Sequence, residues 1–108
     1  MPTISTDMPH FFLKLVAPRP TFANDMNDQE KAMMQEHFLY WKGRQDRGEV
    51  LVFGPVLDPD GPYGMGIINV TDEAEARAFS AADPAIRANI GFTCEIHPMR
   101  AVTREQTN

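Results

Sequence analysis

Three residues of this chain could move protons or hold charge on a small molecule: His37, Asp83 and Arg19. His37 lies in the series Met34, His37, Phe38, Trp41, whose i, i+3, i+4, i+7 spacing is that of one helical face. An imidazole held there changes charge near neutral pH and could serve as a general base. The same spacing also suits a core histidine satisfied by a carbonyl or a water. Asp83 precedes Pro84, where its plainest use is as a helix N-cap. A capping carboxylate can also hold a histidine in one tautomer, as a proton-transfer pair requires. Spacing alone does not bring the two together.

Arg19 and Phe22 fall in residues 17–26, a long connection between a strand and a helix. Arg19 could bind an anionic substrate group bidentately and Phe22 could cap a pocket. The plainer alternative is a surface loop with an unpaired arginine. Residues 58–63, DPDGPY, could turn Asp58 or Tyr63 towards a site, or could be only a hairpin turn. Gly64-Met65-Gly66 opens a strand and lacks the third glycine of a dinucleotide fingerprint. His10, His37 and His97 have no metal-ligand spacing, so neither a metal nor a cofactor is expected. Cys94 shares strand parity with Phe92 and Ile96, as a buried, unreactive thiol would. Met33 and Met34 read as core filler.

The elements that must position these residues can be followed along the chain. Residues 10–17, HFFLKLVA, form a first strand between Pro9 and Pro18. Asn27 and Glu30 have the spacing of a capping box, and the helix they open runs to about Arg47, where Gly48 stops it. Trp41 and Phe38 are expected in its buried face. Residues 49–57 form a second strand and 66–70 a third, joined as a hairpin. Thr71 is the expected cap of a second helix bearing Ala74, Ala78, Phe79 and Ala82. Asp83-Pro84 begins a short helical turn, residues 91–100 form a fourth strand, and residues 101–108 read as a polar, mobile tail.

The order β-α-β-β-α-β is the split βαβ pattern, which predicts an α+β ferredoxin-like fold: a four-stranded antiparallel sheet with two helices on one face. Strands two and four would be its edges, which suits Pro55 and Pro98. Strand one alternates Phe11, Leu13 and Leu15 with Phe12 and Val16; strand two sets Leu51 and Phe53 against Val50 and Val52. Apolar residues on both faces call for a second cover, and a homodimer is the simplest.

A chain of 108 residues fits one domain, with its core at about 10–100. A net charge of −5 and a pI near 5.0 argue against nucleic acid and against an anionic membrane surface. A single cysteine excludes an internal disulfide, and residues 1–9 lack the regions of a signal peptide. The expected location is the cytoplasm.

Together, EHFLYWKGRQDRGEV with its helical histidine, LVFGPVLD ending a strand in Gly-Pro, AADPAIRANI and the closing FTCEIHPM resemble the YCII-related family over residues 10–100. DGPY at residues 60–63 resembles the related DGPF branch, with tyrosine in place of phenylalanine. The resemblance implies a ferredoxin-like fold that dimerises as an α/β barrel, and an active site built on a histidine and an aspartate. These fall on His37 and Asp83. One member of that family eliminates chloride from a chlorinated hydroxyquinol. The function expected here is a small cofactor-independent lyase, dehydratase or isomerase. His37 would move a proton on a small aromatic or anionic substrate, Asp83 would orient it, and Arg19, Phe22, Asp58 and Tyr63 would contact the substrate. The alternatives are a non-catalytic binding or accessory module and a cofactor-free oxygenase.

Overall fold

The computed structural model describes residues 2–4 and 10–104. In chain order its elements are β1 (Pro2–Ile4), β2 (His10–Val16), α1 (Phe22–Asp25), α2 (Asp28–Asp46) and β3 (Val50–Val56). These are followed by β4 (Tyr63–Asn69), α3 (Glu73–Ala81), α4 (Pro84–Arg87), β5 (Thr93–Met99) and β6 (Val102–Arg104). Strands β2 to β5 form one antiparallel sheet in the order β3-β4-β2-β5. This is the ferredoxin-like arrangement, with Pro55 and Pro98 on the two edge strands.

Helix α2 begins as the local sequence dictates. The Asn27 side chain accepts from the Glu30 N–H at 2.8 Å, and the Glu30 carboxylate accepts from the Asn27 N–H at 2.9 Å. The two bonds satisfy donors that no helical carbonyl can reach. The helix ends where Gly48 takes φ +83°, a left-handed conformation that favours glycine.

The core lies between the sheet and the helices. Phe11 and Leu13 of β2, Ile68 of β4 and Val50 of β3 meet Trp41 of α2 and Phe79 of α3. Trp41 lies so close to the sheet that a Cβ on Gly66 would overlap its ring at Cζ3. Glycine at that place in β4 is what lets α2 seat this indole.

Several expectations need correction. Strand β4 starts at Tyr63 rather than Gly66. The α3 cap is Asp72, whose side chain accepts from the Glu75 N–H, while Thr71 gives its own N–H to the Glu75 carboxylate. Residues 19–26 are not all loop, since they contain α1. The expected tail is not all mobile: β6 pairs with β1, and the remaining residues 105–108 lie outside the described residues. A register shift between Val50 and Val52 breaks the alternation expected of strand two. Val50 pairs with Ile68 and Phe53 with Gly66, so both face the helices, while Val52 pairs with Ile67 on the other face. The extra residue of a bulge produces this inversion. Finally, Phe38 is 51% exposed, whereas Trp41 is 5% exposed. The buried stripe of α2 runs through Glu30, Met33 and Trp41, and Phe38 lies off its edge.

Candidate functional site

A cavity of about 590 Å³ opens between α2, α1 and the β3–β4 side of the sheet. Its walls are mainly apolar: Leu13 and Leu15 from β2, Phe53 from β3, Met34 and Phe38 from α2, and Phe92 before β5. This volume is in the range of small-molecule sites. Helix α2 contributes His37, Lys42 and Gln45 as polar lining.

His37 and Asp83 meet at this cavity. His37 Nδ1 is 2.8 Å from Asp83 Oδ1 and 2.9 Å from Oδ2. The carboxylate only accepts, so Nδ1 carries the hydrogen and Nε2 is left as the ring's basic nitrogen. Among the described residues nothing hydrogen-bonds Nε2. Asp83 itself is 2% exposed. It caps α4 by accepting from the Ala85 N–H at 2.9 Å, as aspartate before proline should. It also accepts the Trp41 indole N–H at 2.7 Å. Three donors thus converge on one buried carboxylate and fix its orientation, which in turn fixes the imidazole.

The role of Trp41 went unread in the sequence, where it counted only as core. The signal was present: Trp41 lies one turn beyond His37 on α2, so its N–H and the imidazole can reach one acceptor.

The other predicted site residues separate. Phe22 is buried, lines the cavity and packs edge-on against Phe92 at 5.0 Å. Tyr63 contributes to the wall, and its ring carries the Lys14 ammonium at 4.5 Å. Asp58 turns into its own loop, accepting from the Asp60 N–H at 2.9 Å, and is not part of the lining. The plain reading of that segment, a structural turn, describes it.

Arg19 also differs from expectation. It is neither a lining residue nor unpaired. Nη1 and Nη2 donate to the two Glu30 oxygens at 2.9 and 2.8 Å, and Nε donates to Asp25 at 2.8 Å. The guanidinium fork is therefore filled by the chain's own carboxylates. Arg19 and the Asn27 N–H hold the Glu30 carboxyl down at about 2. The Thr21 hydroxyl and Arg19 likewise lower Asp25. The network clips α1, with Phe22 and Ala23, to the start of α2.

Cys94 is half-buried, and burial pushes its thiol up, as suits an unreactive side chain. Among the described residues, no three His, Cys, Asp or Glu side chains converge in a way that could hold a metal. No helix among them is long and apolar enough to cross a membrane.

A split βαβ sheet with a part-buried His–Asp pair beside an apolar cleft defines a small α+β domain of the ferredoxin-like class. Within that class, residues 10–100 match the YCII-related domain, and the chain belongs to that family. No curated protein matches it.

Proposed function

We propose that the chain is a proton-transfer catalyst of the lyase, dehydratase or isomerase kind, with His37 as general base and Asp83 as its positioning residue. The observation that supports this reading is the His37 Nδ1–Asp83 contact at 2.8 Å, made beside an apolar cavity. With Nδ1 engaged by Asp83, Nε2 would be the nitrogen left to act on whatever occupies the cavity. Nε2 would take a proton from a substrate carbon or hydroxyl, leaving an imidazolium beside the Asp83 carboxylate. The proton would then return to a leaving group or to a second carbon, which balances an elimination or an isomerisation without an external oxidant. The apolar walls would hold the substrate and keep bulk water from the ring.

A second reading has an observation of its own. Asp83 caps α4 and anchors Trp41, so the His37 contact could serve packing around a binding site without chemistry.

Candidate carbon acids incubated in deuterated water separate the two readings. The catalytic reading expects deuterium incorporation or product formation, measured by mass spectrometry, with His37→Asn reducing it at least 10²-fold and leaving the circular dichroism unchanged. Turnover that persists in a folded His37→Asn protein would rule out His37 as the base. Ligand binding without exchange, in both proteins, would favour the binding module.

A further inference from the structure

The charges around the cavity restrict what it can hold, and this inference rests on the cavity being the site proposed above. Among the described lining residues, Lys42 is the one charged side chain. Lys42 Nζ is engaged by Asp46 Oδ1 at 3.1 Å and by Gln45 Oε1 at 3.3 Å, and the side chain is half exposed. Arg19, the natural clamp for a phosphate or a second carboxylate, lies outside the lining behind Phe22 and is filled by Glu30 and Asp25. The remaining polar side chains of the lining are the His37 ring and Gln45; Tyr63 borders the cavity, but its ring meets Lys14 on the sheet face away from the helices. A phosphate placed against walls of leucine, methionine and phenylalanine would lose its hydration and meet no free cation.

The positive requirement follows from the same lining. Met34 and Gln45 lie about 16 Å apart along the α2 axis, with His37 between them near the Met34 end. Two aromatic pairs flank the His37 part of this span: Phe22 against Phe92 beside Met34, and Phe38 against Phe53 one helical turn further along. We infer that the ligand is a compact ring-bearing molecule without phosphate or a second carboxylate. It would be held by shape between these rings, with one hydrogen-bonding group opposite His37 Nε2. Phosphorylated metabolites, nucleotides and di- or tricarboxylates fall outside the class.

Matched probes test this. Isothermal titration of the full chain with 2-naphthol and with 2-naphthyl phosphate compares one scaffold with and without the dianion, and ring-proton NMR reads the His37 signals. The expected result is saturable 2-naphthol binding at one site per chain with movement of the His37 signals. The phosphate ester should bind at least tenfold more weakly. The preference belongs to the walls, so it should persist in His37→Asn; a failure of the proton-transfer reading therefore leaves this result standing. Arg19→Met removes the guanidinium and loosens α1 with its Phe22, so it should weaken both probes alike and leave their ratio unchanged. Equal or tighter binding of the phosphate ester, no 2-naphthol binding, or binding that leaves His37 unmoved would overturn the inference.

Discussion

The Asp83 carboxylate has three tasks: it caps α4, accepts the Trp41 indole and orients His37. Removing one donor separates them. Trp41→Phe keeps most of the aromatic packing but takes away the N–H at 2.7 Å. Loss of a hydrogen bond to a charged acceptor should destabilise by about 1.5–3 kcal/mol in a urea titration. The same variant should loosen the carboxylate, so nitrogen-15 NMR should show a smaller share of His37 with its hydrogen on Nδ1. An unchanged tautomer ratio would show that Ala85 alone holds Asp83. Phe38 and Trp41 are expected to differ sharply. Trp41→Ala should cost about 3–5 kcal/mol, as for a buried aromatic, and Phe38→Ala under about 1 kcal/mol, since half of that ring already meets solvent. Periodicity placed both rings on one stripe because an apolar residue at the edge of a buried face has the same spacing as one at its centre.

At the scale of elements, α1 is held to α2 by side chains rather than by its four residues of helix. Folding lowers the Glu30 carboxyl from its ordinary 4.5 to about 2. Its contribution to stability is therefore complete above about pH 4.5 and is lost as pH falls through 2. Glu30→Gln should be less stable than the parent at neutral pH, and the gap between their urea midpoints should close between pH 4.5 and 2. A gap constant over that range would mean that Arg19 contributes no charge interaction there. The capping box of α2 was legible because its bonds span three residues. Helix α1 was not, because the interactions that fix it join Arg19 to a carboxylate eleven residues away. The bulge in β3 was equally hidden: it depends on how Val50 and Val52 register against β4, which no single strand records. The His37–Asp83 contact lies between these cases. Each residue's element could be read, but their meeting required the sheet order to bring α2 beside α4.

Across the whole molecule, the two faces of the sheet differ. The helices cover one. The register places Phe12, Val16, Val52, Met65 and Ile67 on the other, among Lys14, Glu95 and His97. A second copy is the expected cover. Sedimentation at micromolar concentration should give a dimer, and Ile67→Lys should shift it towards monomer without changing the helical signal. A monomeric parent at that concentration would show that this face stays in water.

The short β1–β6 ribbon sets Pro2 opposite Arg104. A covalent bridge from β6 to β1 would then need little added chain, while the Asp58–Pro62 turn, half or fully exposed and outside the main ladders, offers a place to cut. The protein should thus tolerate circular permutation, with its sheet order kept although its strands are synthesised in a different sequence.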